Sequence, residues 1–132
     1  MFNEKLNKEF GIANYKRYRE ADLSCPCGCG EYRCSLDLIN TLREIQSKVG
    51  DEDLEFGTTP CCDEYAYIIG EKPRTSPYTN GTAIEIYKPA TLSTEKFEDI
   101  LYSDDLNIGY ISCDDENELY YINLNNEEQL EN

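Results

Sequence analysis

Histidine and tryptophan are both absent from this chain, and basic residues are scarce. Without histidine, no side chain titrates near neutrality at its unperturbed pKa. Lysine and arginine together number 12 against 27 aspartates and glutamates, a formal charge of −15. A surface of that sign repels nucleic-acid phosphates and anionic membranes and attracts basic protein surfaces, besides keeping the chain soluble. Long apolar runs are missing as well, and nothing approaches the roughly 20 consecutive apolar residues of a membrane-spanning helix. The positive charges at Lys5, Lys8, Lys16, Arg17 and Arg19 precede no apolar stretch of about 7 to 15 residues, so no secretory signal is read at the start. These absences lead to the expectation of a cytoplasmic protein, with neither direct nucleic-acid contact nor a membrane, whose partner is a protein with a basic surface.

What is present suffices for one domain. The 132 residues can bury about two-thirds of the surface of the unfolded chain, and a single domain is expected over 1–124 with an acidic, frayed tail over 125–132. Residues 3–19 mix Leu6, Phe10, Ile12, Tyr15 and Tyr18 with charges in the manner of a short helix interrupted near Gly11. From Ser35 the side chains Leu36, Ile39, Leu42, Ile45 and Val49 recur at steps of three or four, one face of a helix over about 35–49. Ser35 is a ready N-cap and Gly50 a stop. Leu54-Glu55-Phe56 alternates as a short strand, residues 65–69 form a second apolar segment bounded by Gly70, and Pro73 and Pro77 mark a loop. Thr82-Ala83-Ile84-Glu85-Ile86-Tyr87 alternates with period two, so Ala83, Glu85 and Tyr87 share one face of a strand and Ile84 and Ile86 the other. Ser93 caps a shorter helix over about 94–102, with Phe97, Ile100 and Leu101 as its apolar face, and strands at 108–113 and 118–124 form a hairpin across Asp114-Asp115-Glu116-Asn117. The expected fold class is α+β, a small, mostly antiparallel sheet with one long and one shorter helix.

Seven cysteines stand at 25, 27, 29, 34, 61, 62 and 113. An odd count without a secretory signal argues for reduced thiols rather than a disulfide framework. Cys25-Pro26-Cys27-Gly28-Cys29-Gly30 places one proline and two glycines in six residues, and reads as a tight loop presenting three sulfurs within a cysteine-rich stretch over 25–34. Thiolates of Cys25, Cys27, Cys29 and Cys34, with Cys61 or Cys62 folding back, would satisfy a tetrahedral structural zinc. The alternative is a set of buried or free thiols, because C-x-C-x-C is not the C-x-x-C spacing of zinc knuckles and three sulfurs this close are hard to fit around one ion.

The stretch Ser76-Pro77-Tyr78-Thr79-Asn80-Gly81-Thr82-Ala83-Ile84-Glu85-Ile86 resembles the S-x-H-x-x-G-x-A-x-D-[IV] signature of the zinc D-Ala-D-Ala carboxypeptidases, peptidoglycan peptidases that include phage endolysins and share the hedgehog-type fold. Tyr78 stands where the signature has a histidine ligand, and Glu85 where it has an aspartate. Gly109-Tyr110-Ile111 and Leu119-Tyr120-Tyr121-Ile122-Asn123 are similar to the family's G-Y-Y and F-V-H-V-D segments, with Tyr121 at the third histidine ligand and Asn123 at the aspartate. Phe56-Gly57-Thr58-Thr59 matches the family's S-G-Y-R only at the glycine, which puts Thr59 at the arginine that holds the substrate carboxylate. Glu118, three residues before Tyr121, has the spacing of a catalytic glutamate. The cysteine-rich loop ahead of the long helix also looks like the family. The resemblance runs over about residues 22–125 and implies a D-Ala-D-Ala carboxypeptidase-like fold.

The chemistry implied by the resemblance is altered by these replacements. A hydrolytic zinc needs three protein ligands and an open position for a water whose pKa falls to about 7. Free tyrosine, with a pKa of about 10, is a poor zinc ligand at neutral pH, so Tyr78 and Tyr121 leave Glu85 alone, and Thr59 removes the substrate clamp. No catalytic residue is expected. Tyr78, Glu85, Tyr121, Glu118 and Thr59 constitute a vestigial site in which the tyrosines fill the vacated space and bond Glu85. No cofactor is expected apart from the structural zinc. The function that follows is a catalytically inactive carboxypeptidase-like protein acting by protein binding, an acidic phage or mobile-element inhibitor of the anti-CRISPR type that docks on a basic, nucleic-acid-handling host protein. Eleven tyrosines suit an interface, although Tyr65, Tyr67 and Tyr87 read equally as strand packing. Two further readings stand beside it: a zinc-dependent D,D-peptidase or peptidoglycan hydrolase with unusual ligands, and a structural protein with cysteine-bound zinc.

Overall fold

The period-two alternation at Ala83–Tyr87 is realised as strand β1. It pairs antiparallel with β3 (Leu119–Asn123), which pairs antiparallel with β2 (Tyr110–Asp114), giving the order β1-β3-β2. The computed structural model describes residues 23, 25–29, 31, 33–73 and 75–126. The helix read at 3–19 and all but the first two residues of the tail lie outside the described residues. With helices α1 (Leu36–Val49), α2 (Asp63–Ile68) and α3 (Thr94–Leu101), the architecture is the expected α+β with a small antiparallel sheet. The hairpin forms at the acidic turn, where Asn117 N–H donates to the Asp114 carbonyl at 3.2 Å.

Residues opposite one another on antiparallel strands share a face. Ile84 faces Ile122 and Ile86 faces Tyr120, and these four join Leu38, Leu42 and Ile45 of α1 and Phe97 and Leu101 of α3 in the main core. Phe97 and Tyr120 meet edge to face at 5.2 Å, and the Tyr120 hydroxyl donates to Glu98 Oε2 at 2.8 Å, so the buried phenol is satisfied. Ala83 and Tyr121 point to the opposite side, where a smaller cluster gathers Cys25, Cys61, Cys62, Ala66 and Tyr78. One three-stranded sheet therefore separates an aliphatic core from a sulfur-rich one.

Ser35 and Ser93 both cap as expected, their hydroxyls accepting from the Leu38 and Lys96 N–H groups at 3.1 Å. Three local readings change. Leu36 is exposed, and Leu38 takes its place in the core. At 3.6 residues per turn Leu36 lies about 180° from Ile45, whereas Leu38 lies within about 40° of both Leu42 and Ile45. The apolar segment at 65–69 begins as a helix rather than a strand, so Tyr65 and Tyr67 do not pack in the sheet. Cys62 caps that helix, and Asp63 and Glu64 complement its N-terminus. The expected strand at 54–56 is reduced to a single bridge, Phe56 to Ile86. Gly57 then passes so close to β1 that a Cβ there would sit 2.8 Å from Glu85 Oε1.

The turn after α1 depends on one buried amide. Gln46 is fully buried; its Nε2 donates to the Gly50 and Glu52 carbonyls at 2.9 and 2.8 Å, and its Oε1 accepts from Leu54 N–H at 3.3 Å. Gln46→Leu keeps the volume and leaves these backbone groups without the partner, so a loss of about 3 kcal/mol is expected, read as a lower urea midpoint with an unchanged slope. A midpoint equal to that of the parent would contradict this account.

Candidate metal centre

The loop carrying Cys25, Cys27 and Cys29 folds through a tight turn in which Gly28 N–H donates to the Cys25 carbonyl at 3.2 Å and Gly28 adopts φ 86°. A left-handed residue at that point favours glycine. Cys25 N–H donates to the Glu31 carbonyl at 2.9 Å and fixes the loop's return. From the other direction, the chain entering α2 brings in Cys62, whose N–H donates to Cys25 Sγ at 3.3 Å. The sulfurs of Cys25, Cys27, Cys29 and Cys62 all lie within 4.8 Å of one another. Cys25 to Cys27 is 3.4 Å, Cys25 to Cys62 3.5 Å and Cys27 to Cys62 3.7 Å. A tetrahedral ion with metal–sulfur bonds of about 2.3 Å has sulfur–sulfur edges of about 3.8 Å, so these sulfurs stand close to the positions an ion would impose. Four cysteines, spaced to hold a metal ion, are assembled here.

The thiols do not share one electrostatic state. Burial opposes ionisation of Cys25, but the backbone at Cys62 and Cys27 and the neighbouring thiols outweigh it and lower Cys25 to about 7. The Cys25 and Cys29 thiols in turn push Cys27 up to about 12. The lowered thiol is thus the buried Cys25 and the raised one the exposed Cys27. Arg33 lies beside it, its Nε 2.7 Å from Glu31 and a terminal nitrogen 3.9 Å from Asp63 at the start of α2.

The expected ligand set changes accordingly. Cys34 does not join the cluster: it lies in the main core, where burial pushes its thiol up to about 12. It directly precedes the α1 cap, whose Ser35 N–H is held by the Gly81 carbonyl at 3.0 Å, and this draws Cys34 beneath the helix. Cys61 packs in the sulfur-rich core, and its thiol is pushed up to about 11, chiefly by burial. Cys62 has extended backbone angles, and in extended chain consecutive side chains point to opposite sides, so only one of the adjacent pair reaches the loop. Cys113 is exposed on β2, its thiol 3.2 Å from Asp115 Oδ1. The spacing objection to C-x-C-x-C loses its force because the fourth sulfur arrives from a separate segment.

The residues read as a vestigial site divide in two. Glu85 faces Tyr121 across the β1–β3 pair, and Tyr121 meets Tyr78 edge to face at 5.8 Å and Tyr110 at 6.1 Å. Glu85 Oε1 accepts the Thr58 N–H at 2.8 Å, next to the buried Thr59. Glu118 is elsewhere: it sits in the hairpin turn at φ 53°, its carbonyl accepts the Lys88 N–H at 2.9 Å, and its carboxylate is 3.7 Å from Lys88 Nζ. Lys88 is three residues beyond Glu85, about 10 Å along the strand, so Glu118 and Glu85 do not share a site. Among the described residues, the four cysteines are the one group of three or more metal-ligating side chains that comes together. No family model matches the chain, and comparison with curated proteins and with solved structures finds no match.

Replacing thiols singly separates the two kinds of cysteine. Cys25→Ser and Cys62→Ser are expected to abolish stoichiometric uptake of cobalt(II), followed by its sulfur-to-metal charge-transfer absorption, while Cys113→Ser leaves it intact. Cys34→Ala keeps the uptake but loses about 1 kcal/mol of stability from the core. Uptake that survives Cys62→Ser would show that the four sulfurs do not act together.

Proposed function

We propose that this chain is a non-catalytic binding domain, carboxypeptidase-like in outline and stabilised by zinc, that acts by engaging a basic protein. The observation that carries the reading is the convergence of the Cys25, Cys27, Cys29 and Cys62 sulfurs within 4.8 Å. Four soft sulfur donors favour zinc over the oxygen-seeking cations magnesium and calcium. A set of four protein ligands also leaves no open position at which water is activated, which is the mark of a structural rather than a hydrolytic site. Zinc bound there supplies folding free energy to its own loop and to the start of α2.

The tyrosine-lined face of the sheet supports the non-catalytic half of the reading. Tyr78, Tyr121 and Tyr110 pack edge to face there, and the Glu85 carboxylate opposite Tyr121 is engaged by the Thr58 N–H. The charge of −15 supports the basic partner, since opposite charge steers association and suppresses acidic competitors. A phage or mobile-element inhibitor of a nucleic-acid-handling host enzyme, of the anti-CRISPR type, is the class this combination suits best.

Freshly purified protein is expected to carry one zinc per chain, measured by elemental analysis, and to leave D-Ala-D-Ala peptides uncleaved. Its affinity for a basic partner should fall steeply between low and high salt. Zinc that persists after all seven cysteines are changed to serine, accompanied by peptide hydrolysis, overturns the proposal in favour of a peptidase; salt-independent affinity overturns its electrostatic part.

A further inference from the structure

A helix of six residues such as α2 is too short to hold itself together, since isolated helices below about 12 residues are marginal in water. Its neighbours hold it. Cys62 Sγ accepts the Tyr65 N–H at 3.5 Å, the buried Ala66 accepts the Glu71 N–H on its carbonyl at 2.8 Å, and Arg33 lies 3.9 Å from Asp63. So anchored, the helix turns its other side to solvent. Tyr67 is 76% exposed, Ile68 73% and Ile69 39%. Glu64 precedes Tyr67 and Ile68 by three and four residues, which places all three on one helical face. Together with Asp63 and Pro73 they line a depression of about 430 Å³. Among the described residues its lining combines apolar side chains with the carboxylates of Glu64 and of Asp63, the latter also 3.9 Å from Arg33.

We propose that this face of α2 is a docking surface for a basic, amphipathic segment of a partner protein, and that the four-cysteine cluster holds the helix in place to present it. The inference rests on the reading above that the partner is basic. Charge selects the occupant. A second copy would bring Asp63 and Glu64 against their own equivalents on a chain already at −15, a like-charge approach that opposes association. A segment with an apolar side chain between arginines or lysines satisfies both features at once: the apolar group enters the depression, the cations meet the carboxylates, and an arginine can stack on the Tyr67 ring. Tyrosine is among the residues that dominate interface energetics when packed in such a position.

The test uses the full-length, zinc-loaded chain and two synthetic peptides of equal positive charge, one alternating leucine with arginine and one alternating serine with arginine. The leucine peptide is expected to bind at least about tenfold tighter and to shift the amide resonances of residues 63–73. The double variant Tyr67→Ser/Ile68→Ser should weaken it by about thirtyfold without loss of zinc, while Glu44→Gln on exposed α1 changes it little. Removing zinc with a chelator should produce a loss like that of the double variant; unchanged binding would mean that the cluster does not hold the helix. Equal affinity for both peptides, insensitive to the double variant, overturns the docking surface and leaves the basic-partner reading standing. No binding of either peptide at low salt removes both. A wild-type dimer that the double variant converts to a monomer assigns the face to a second copy instead and overturns the proposed occupant.

Discussion

The antiparallel pairing of β1 with β3 divides this molecule into two chemical compartments. Because side chains alternate along each strand, a register that sets Ile84 opposite Ile122 necessarily sets Glu85 opposite Tyr121. One face then closes with α1 and α3 into an aliphatic core, and the other receives Tyr78 and the cysteines. A slip of one residue would place Glu85 among the isoleucines and the leucines of α1. Gly57 and Gly81 mark where other segments press against this frame: a Cβ at Gly81 would lie 2.0 Å from the Arg33 carbonyl oxygen. The cysteine loop thus leaves the cluster by running directly across the entry to β1.

The four-sulfur cluster extends that frame where packing alone is thin. It joins a turn-rich loop to the start of a six-residue helix, with all of α1 lying between them in sequence. A metal held between such distant segments would add its binding free energy to that of folding, without a disulfide. The need is sharpened by charge, since a chain at −15 repels itself in the compact state. Arg33, reaching Glu31, Asp63 and the Thr79 carbonyl, offsets part of the negative charge that thiolates would bring.

This division of labour separates holding from meeting. Cys25, Cys61, Cys62 and the Tyr78–Tyr121 pair lie against the second face of the sheet, while Tyr67 and Ile68, open to solvent, lie about one helical turn beyond Cys62. The tyrosine face brings Tyr78, Tyr110 and Tyr121 together edge to face on the side of β1 that carries Glu85, and the cysteine centre gathers four sulfurs spaced to hold an ion.

Much of the frame was legible in the chain by itself. The helix from Ser35, the strand at 83–87, the helix from Ser93 and the final hairpin are each written in local periodicity and local caps, which depend on residues a few positions apart. The cysteine loop was legible as a loop for the same reason. The choice of ligands was not. Cys34, Cys61 and Cys62 are equivalent as letters, and only the tertiary path buries Cys34 under α1, turns Cys61 into the sulfur-rich core and delivers Cys62 to the loop. Glu118 likewise keeps a suggestive spacing in sequence, yet the strand register carries it to Lys88 and away from Glu85. Short-range patterns determined the elements because their energies are local; the site belongs to contacts between segments some thirty to forty residues apart, whose geometry exists only once the sheet and α1 have closed.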